Sequence, residues 1–369
     1  MTIVHLSDGY LIGMSIWLCA GVLSFWGLLV WRGRRRARQK SVKGIQFAMS
    51  LWLVCAMLTG VELYYATIYD QTDSFNISNV SKKWFKLHVE PDQKVLIFKN
   101  GKGTTYRDDR PYPESLTPDQ HHICFLGDSF TFGHGVPNVR DRFSNRIRAK
   151  LNETHPGKFV VSNLADAGKD LRWVELVQKE LYQDGRRIDT LIYVLCLNDI
   201  ETFHKNHDKF YARLGARMPE FFLFRDTYFF NLLYFRARLF TVPEVKDYYS
   251  FVSEYYSGEP WQKMQKALNR VHQRCRDHGT NFKVVIFPFL HNLGGDYRFA
   301  EAHKVIVKHC RSVGIPVLDL APVLKPHASE GLSVSRFDDH PNERAHALAA
   351  DAILKTLLAD VVTEKSTQE

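Results

Sequence analysis

Residues 125–135 read Phe-Leu-Gly-Asp-Ser-Phe-Thr-Phe-Gly-His-Gly and directly follow a short apolar run, His122–Gly127. That order puts Ser129 at a strand-to-loop turn. Gly127 is expected to let the chain bend sharply, and the backbone N–H groups beyond it can converge on one point. A serine hydroxyl becomes a nucleophile only beside a base that accepts its proton near neutral pH, and histidine is the usual base. Such a histidine stands near the other end of the chain, in Arg336-Phe-Asp-Asp-His-Pro-Asn-Glu-Arg-Ala-His346. Pro341 suits the first turn of a helix, so His340 is expected at a rigid loop–helix junction. A serine and a histidine held in this way are the minimum equipment for transferring an acyl group through a covalent intermediate.

These residues need a rigid frame. Short, almost wholly apolar runs recur at His122–Gly127, Phe159–Asn163, Thr190–Cys196, Phe282–Pro288 and Ile315–Leu320. Amphipathic stretches lie between and after them, near 140–153, 170–184, 260–278, 298–313 and 342–358. Continuous apolar strands belong to a parallel sheet covered on both faces, and regular strand–helix alternation predicts a doubly wound α/β domain. Ligands in such folds bind beyond the carboxyl ends of the strands, where Ser129 is expected.

The Gly-Asp-Ser turn resembles the first block of the SGNH/GDSL hydrolases, in which that serine is the nucleophile, and it differs from the Gly-x-Ser-x-Gly elbow of α/β hydrolases. The segment around His340 resembles the last block of the same family, where an aspartate shortly before the histidine orients the ring. Many members place that acid three residues before the histidine, a position held here by Phe337. The Asp-x-His-Pro-Asn form makes Asp338 the partner, with Asp339 as the alternative. The second and third family blocks supply oxyanion donors from loops after strands. They match Asn163-Leu-Ala-Asp-Ala-Gly168 and Leu195-Cys-Leu-Asn-Asp199. The resemblance therefore implies catalytic Ser129, His340 and Asp338, with an oxyanion hole from Ser129, Gly168 and Asn198. Cys196 replaces the usual glycine of the third block. The resemblance spans roughly 120–360. It implies a flavodoxin-like, three-layer α/β/α domain that needs no metal and no organic cofactor.

Composition fits a globular chain, with 45% hydrophobic and 24% charged residues. The net charge of +9 raises the question of nucleic acid. Its distribution answers otherwise: seven basic residues crowd between Arg32 and Lys43, and charges nearly balance from Asp70 onward. Gly9–Trp31 contains no charged residue and is long enough to cross about 30 Å of hydrocarbon. A second apolar stretch, from about Gly44 to Tyr69, contains one acid, Glu62. Trp17, Trp26, Trp31, Tyr64, Tyr65 and Tyr69 include aromatics placed as in an interfacial belt. The basic loop between two such helices stays cytoplasmic by the positive-inside rule, which puts everything after Tyr69 on the extracytoplasmic side. Basic residues that follow the first apolar run, instead of preceding it, do not match a cleavable signal. Glu62 is expected to serve helix packing or the interface.

The chain thus divides into a membrane anchor (1–69), a connecting region rich in turn residues (70–119), and the α/β domain (120–362). An aromatic-rich insertion at about 200–260 interrupts the alternation and is expected as a helical layer packed on the sheet, or as a lid, groove or membrane-facing surface. Cys124 and Cys196 read as core residues; Cys275 and Cys310 are expected unpaired, with a disulfide between them the alternative in an oxidising compartment. No Cys-x-x-Cys or His-Glu-x-x-His pattern points to a metal. Asp128 and Asp199 are expected to brace their loops. His134 is expected in a loop beside the nucleophile. Sequons at Asn76, Asn79 and Asn152 matter only in a glycosylating host.

Together these features lead to the expectation of an esterase acting on an acylated small molecule, glycan or lipid. A transferase that passes an acyl group to an envelope polysaccharide would carry the same residues. A catalytically silent glycan-binding or assembly module is the alternative outside enzymes.

Overall fold

The computed structural model describes residues 6–74, 76–205, 219–241 and 248–366. Its helices are α1 (Asp8–Ala37), α2 (Lys43–Thr67) and α3 (Asn79–His88), then α4 (Ser129–Phe132), α5 (Phe143–Thr154) and α6 (Leu171–Gln183). After these come α7 (Phe222–Asp226), α8 (Phe229–Thr241), α9 (Tyr248–Tyr255), α10 (Glu259–Asp277), α11 (Ala300–Ser312), α12 (Ala321–Leu324), α13 (Glu343–Thr356) and α14 (Ala359–Ser366). The strands are β1 (Gln93–Ile97), β2 (Gly103–Arg107), β3 (His121–Gly127), β4 (Phe159–Asn163), β5 (Thr190–Cys196), β6 (Asn281–Phe287), β7 (Val317–Asp319), β8 (Ser333–Ser335) and β9 (Asp338–Pro341).

Five strands form one parallel sheet in the order β4-β3-β5-β6-β7. Counted along the chain that is 2-1-3-4-5, the flavodoxin-like order. The chain steps from β3 outward to β4, then returns to the far side of β3 as β5. The loops after β3 and β5 therefore part at the switch point, where this fold opens a crevice. Every residue of β5 is buried, as are the last six of β3 and of β6, so the sheet is covered on both faces.

Two compact units are distinguished: Met1–Leu87 with Gly215–Val242, and His88–Leu214 with Pro243–Glu369. The second unit starts earlier than the expected 120. The antiparallel β1–β2 hairpin contributes Leu96, Phe98 and Tyr106 to the main core, because three buried apolar side chains are too many to leave in a solvated linker. The connecting region accordingly divides between the two units.

In the first unit, α1 and α2 are long and apolar enough to cross a membrane, and their apolar side chains are largely exposed. The two helices are joined by Trp17 Nε1 donating to Thr59 Oγ1 (2.9 Å) and by the Phe25–Trp52 ring contact at 4.5 Å. Buried Glu62 accepts from Tyr10 Oη and from the backbone N–H groups of Tyr228 and Phe229, at 3.1, 2.7 and 2.8 Å. A carboxylate of α2 thus caps the N-terminus of α8, satisfying two donors that a helix start leaves open. Lys83 does the converse at the end of α2, donating to the carbonyls of Tyr65, Ala66 and Tyr69 at 2.8, 3.1 and 2.7 Å.

The aromatic insertion is therefore not one layer on the sheet. Its residues 200–205 belong to the second unit, whereas α7 and α8 belong to the unit of α1 and α2. Its last part packs on the main core through Tyr248, Tyr249, Val252, Tyr255 and Tyr256. Residues 206–218 and 242–247 of that expected insertion lie outside the described residues.

Candidate active site

Strand β3 ends at Gly127, and Asp128 caps the single turn of α4 by accepting the N–H of Phe130 at 2.9 Å. Gly127 was expected to supply a sharp bend. Its backbone is not in the left-handed region, and what requires glycine is space: a Cβ there would lie 2.7 Å from the carbonyl oxygen of Val194 and collide with the Thr131 side chain. Gly133, with φ +78°, ends α4. Ser129 is thereby held, partly exposed, between the buried Asp128 and Phe130.

His340 arrives from the opposite end of the chain on β9, the second strand of a two-stranded hairpin. The expected loop–helix junction needs correction. Pro341 closes β9, and α13 begins at Glu343 because Asn342 is the better cap: its Oδ1 accepts from Arg344 and Ala345, both at 3.1 Å. The Asn342 Nδ2 also donates to the carbonyls of Gly331 (2.8 Å) and Ser333 (3.1 Å), tying the hairpin to the helix start.

The two ends meet closely. His340 Nε2 lies 2.8 Å from Ser129 Oγ, and His340 Nδ1 lies 2.6 Å from Asp338 Oδ1. The same carboxylate oxygen accepts the His340 backbone N–H at 3.1 Å. A carboxylate only accepts, so the ring proton sits on Nδ1, and Nε2 is left to accept the serine proton. Asp339 turns elsewhere, accepting from Tyr249 Oη at 2.5 Å. Of the two expected acids, Asp338 is the one within hydrogen-bond distance of the His340 ring.

Burial works against the charged form of His340, but the adjacent Asp338 carboxylate outweighs it, and the imidazole is raised above its ordinary value. Asp338, though buried, is held below the usual carboxylate range by His340 and, farther off, His134. The pair therefore favours an imidazolium–carboxylate when a proton reaches the ring. Asp128 behaves differently: burial pushes its carboxyl up to about 6, against the pull of the Phe130 N–H and of His340.

His134 is buried, with Nε2 3.7 Å from Asp338 Oδ2 and its ring centroid 4.4 Å from that of His340. His134, Asp338 and His340 offer donor atoms within 4.8 Å of one another. His340 and Asp338 are already engaged in the hydrogen-bonded chain to Ser129, and three buried side chains of this mixed kind do not by themselves make a cation site.

Gly168 follows β4 and Asn198 follows β5, the two strands flanking β3, so both candidate donors share the carboxyl edge of the sheet with Ser129. Gly168 is exposed, with φ +73° and open space where a Cβ would stand. Asn198 lies in a 3-10 turn, and its buried Oδ1 has no hydrogen-bond partner among the described residues. Asp199 braces that turn by accepting from Tyr193 Oη (2.5 Å) and the Cys196 N–H (3.3 Å). Cys196, which stands where the resembled block has glycine, is fully buried, and its thiol hydrogen-bonds the Asp128 carboxylate.

Two further residues position this region. Asn163, at the end of β4, donates to the Thr131 carbonyl and Ser144 Oγ, both at 2.8 Å, and so pins α4 from the side. Arg107 on β2 is wholly buried and donates to the carbonyls of Gly133 (3.1 Å), Val136 (2.9 Å), Pro137 (2.8 Å) and His88 (2.7 Å). It holds the loop that carries His134. An arginine inside an otherwise turn-rich stretch was the only available hint.

The profile of the GDSL-like lipase/acylhydrolase family matches residues 125–348, more than half of the chain. No curated protein matches the sequence. Among solved structures, a two-domain esterase active on acetylated mannans is 16% identical with a TM-score of 0.39; the match covers 67% of this chain and 50% of that one. A lipolytic G-D-S-L protein from Veillonella parvula is 17% identical with a TM-score of 0.39, over 64% and 97% of the two chains. A variant acetyl xylan esterase from Geobacillus stearothermophilus is 11% identical with a TM-score of 0.41, over 64% and 93%. This chain spans about half the length of the first of these.

Proposed function

Because the chain belongs to the GDSL-like lipase/acylhydrolase family, we propose that it is a serine hydrolase directed at carboxylic esters, that Ser129, His340 and Asp338 are its catalytic residues and that it removes an acyl group from a glycan or lipid beside a membrane. The observation that carries this reading is the unbroken hydrogen-bonded line from Ser129 Oγ through both ring nitrogens of His340 to Asp338.

In this reading Ser129 Oγ attacks the ester carbonyl carbon while His340 Nε2 takes its proton. The imidazolium so formed is stabilised by Asp338. The carbonyl oxygen becomes an oxyanion, met by the backbone N–H groups of Ser129 and Gly168 and by the Asn198 amide. As the carbon–oxygen bond breaks, His340 returns the proton to the departing alcohol, leaving Ser129 acylated. Water then attacks the acyl carbon, again deprotonated by His340, and the carboxylic acid departs as Ser129 recovers its proton.

Two apolar helices long enough to cross a membrane support a membrane-anchored enzyme. The basic loop Arg32–Lys43 supports an arrangement in which that loop is cytoplasmic and the α/β domain lies outside. That location favours an O-acylated envelope glycan or lipid as substrate. The test is hydrolysis of short-chain acyl esters by the full chain, with and without added oligosaccharide. Free acid as the main product supports a hydrolase. Acylated oligosaccharide as the main product assigns the same residues to a transferase.

A further inference from the structure

At the end of α1 and α2 nearest α3, the first unit contains a cavity of about 440 Å³, within the range of small-ligand sites. Four of its lining residues are cationic: Lys82, Lys83 and Lys86 of α3, and Arg225 of α7. Arg225 is neutralised by a two-pronged ion pair with Asp226, at 2.8 Å for each hydrogen bond. Lys83 is committed to the last carbonyls of α2. Lys82 and Lys86 differ. They are exposed, lie four residues apart on one face of α3, and have no ion-pair partner among the described residues. Like charges at that spacing repel and weaken a helix, so the arrangement does nothing for the fold and suits an anion seated between them.

The opposite wall is the first turn of α1. Gly9 lines the cavity there, and a Cβ at Gly9 would meet nothing within 4 Å. A ligand can therefore approach the positive dipole end of a 30-residue helix and the N–H groups of its first turn, of which that of Tyr10 is already accepted by Ser7 Oγ at 3.3 Å. Asp8, in the same turn, is not among the lining residues. On the face of α1 that carries Gly9, Ile12 and Ile16 follow three and seven residues on, with Gly13 between them, and are exposed by 62% and 65%. A basic, hydrogen-bonding cup thus continues into an apolar stripe, which matches a charged headgroup with acyl chains attached and does not match a soluble ion.

We propose that this cavity binds the phosphate-bearing headgroup of an anionic membrane lipid, with Lys82, Lys86 and the first turn of α1 holding the phosphate and Ile12 and Ile16 lying along the chains. The site rests on the reading of α1 and α2 as membrane spans. It is separate in sequence from the residues proposed to perform catalysis, and it supplies lipid selectivity to the anchor.

The test is native mass spectrometry of the full chain released from detergent. Phosphatidylglycerol and phosphatidylcholine of matched acyl chains are added in turn, beside a Lys82→Gln/Lys86→Gln double variant. The basic loop Arg32–Lys43 also attracts anionic lipid, so the readout is the difference between wild type and variant. Wild type is expected to retain one more phosphatidylglycerol than the variant, with affinity for it reduced on the order of tenfold or more by the double substitution. Millimolar inorganic phosphate is expected to leave that adduct in place. Equal retention by wild type and variant, or no preference over phosphatidylcholine, overturns the proposal. Displacement by inorganic phosphate overturns the lipid assignment in favour of a soluble phosphate ligand. Alkaline extraction of membranes is run on both forms. Release of the wild type would overturn the membrane reading and this site with it, whereas a retained chain lacking the selective adduct overturns the site alone.

Discussion

Ser129 and His340 are separated by 211 positions in the chain and by 2.8 Å in space. One stands on the turn after β3, the other on β9, and neither element alone has chemistry to offer. The ring of His340 is fixed at both nitrogens, so the serine faces a base already in the tautomer that accepts its proton.

The Asp338 carboxylate is what raises His340 above its ordinary value against the effect of burial. Activity requires the neutral ring, so kcat/KM is expected to rise with pH through an ionisation above the ordinary histidine range. In Asp338→Asn that limb moves to lower pH, because the charge favouring imidazolium is gone, and kcat falls by a factor on the order of 10³ to 10⁴. A pH–rate profile of both proteins checks the two effects together. An unmoved limb contradicts the assignment of Asp338.

Asn198 offers a cleaner separation of activity from stability. Its Oδ1 makes no hydrogen bond among the described residues, so Asn198→Ala is expected to remove little that holds the protein together. If its amide meets the oxyanion, kcat falls by about 10² to 10³ with KM nearly unchanged. Thermal unfolding beside steady-state kinetics distinguishes this from a structural role, which would lower the melting temperature instead.

Asp128 pulls the other way. Its folded-state carboxyl is pushed up to about 6 from an ordinary value of 3.8. The folded protein therefore binds this proton more tightly than the unfolded chain does, and its stability falls as pH rises from about 4 through 6. Asp128→Asn keeps an acceptor for the Phe130 N–H and removes the buried charge. The variant is expected to melt higher than wild type above pH 6, with the gap closing toward pH 4. A constant gap across that range would show that the ionisation is not the cause.

Arg107 tests whether the β1–β2 hairpin belongs to the site. Arg107→Met leaves four carbonyls without their donor, each costing about 1–3 kcal/mol when buried. Urea unfolding is expected to show a loss of at least about 3 kcal/mol. Arg107→Lys recovers only part of it, since an ammonium lacks the planar fork. Wild-type stability in Arg107→Met would mean that the hairpin is dispensable.

Much of this was legible in the residues themselves. The five apolar runs of the sheet and the five amphipathic helices between and after them follow from periodicity, because a parallel sheet buried on both faces leaves few other patterns possible. Ser129, His340 and the two candidate loop donors follow from resemblance to the family's sequence blocks, and the fold brings Ser129 and His340 within hydrogen-bond distance. The β8–β9 hairpin was not legible: strands of three and four residues are too short to show alternation, and Pro341 read as a helix start until Asn342 claimed the cap. The role of Arg107 depends on carbonyls 19 to 30 residues away, which no local pattern encodes. The split of the aromatic insertion depends on Glu62, a single acid in α2 that meets α8 across 166 positions.

The central claim is tested most directly by measuring p-nitrophenol release from short-chain acyl esters by the full chain, beside Ser129→Ala and His340→Ala. The account predicts a fall on the order of 10³-fold or more in kcat for each variant, and nearly the same residual rate when both are combined, because the two residues act as a unit. A folded wild type no faster than its variants would contradict it.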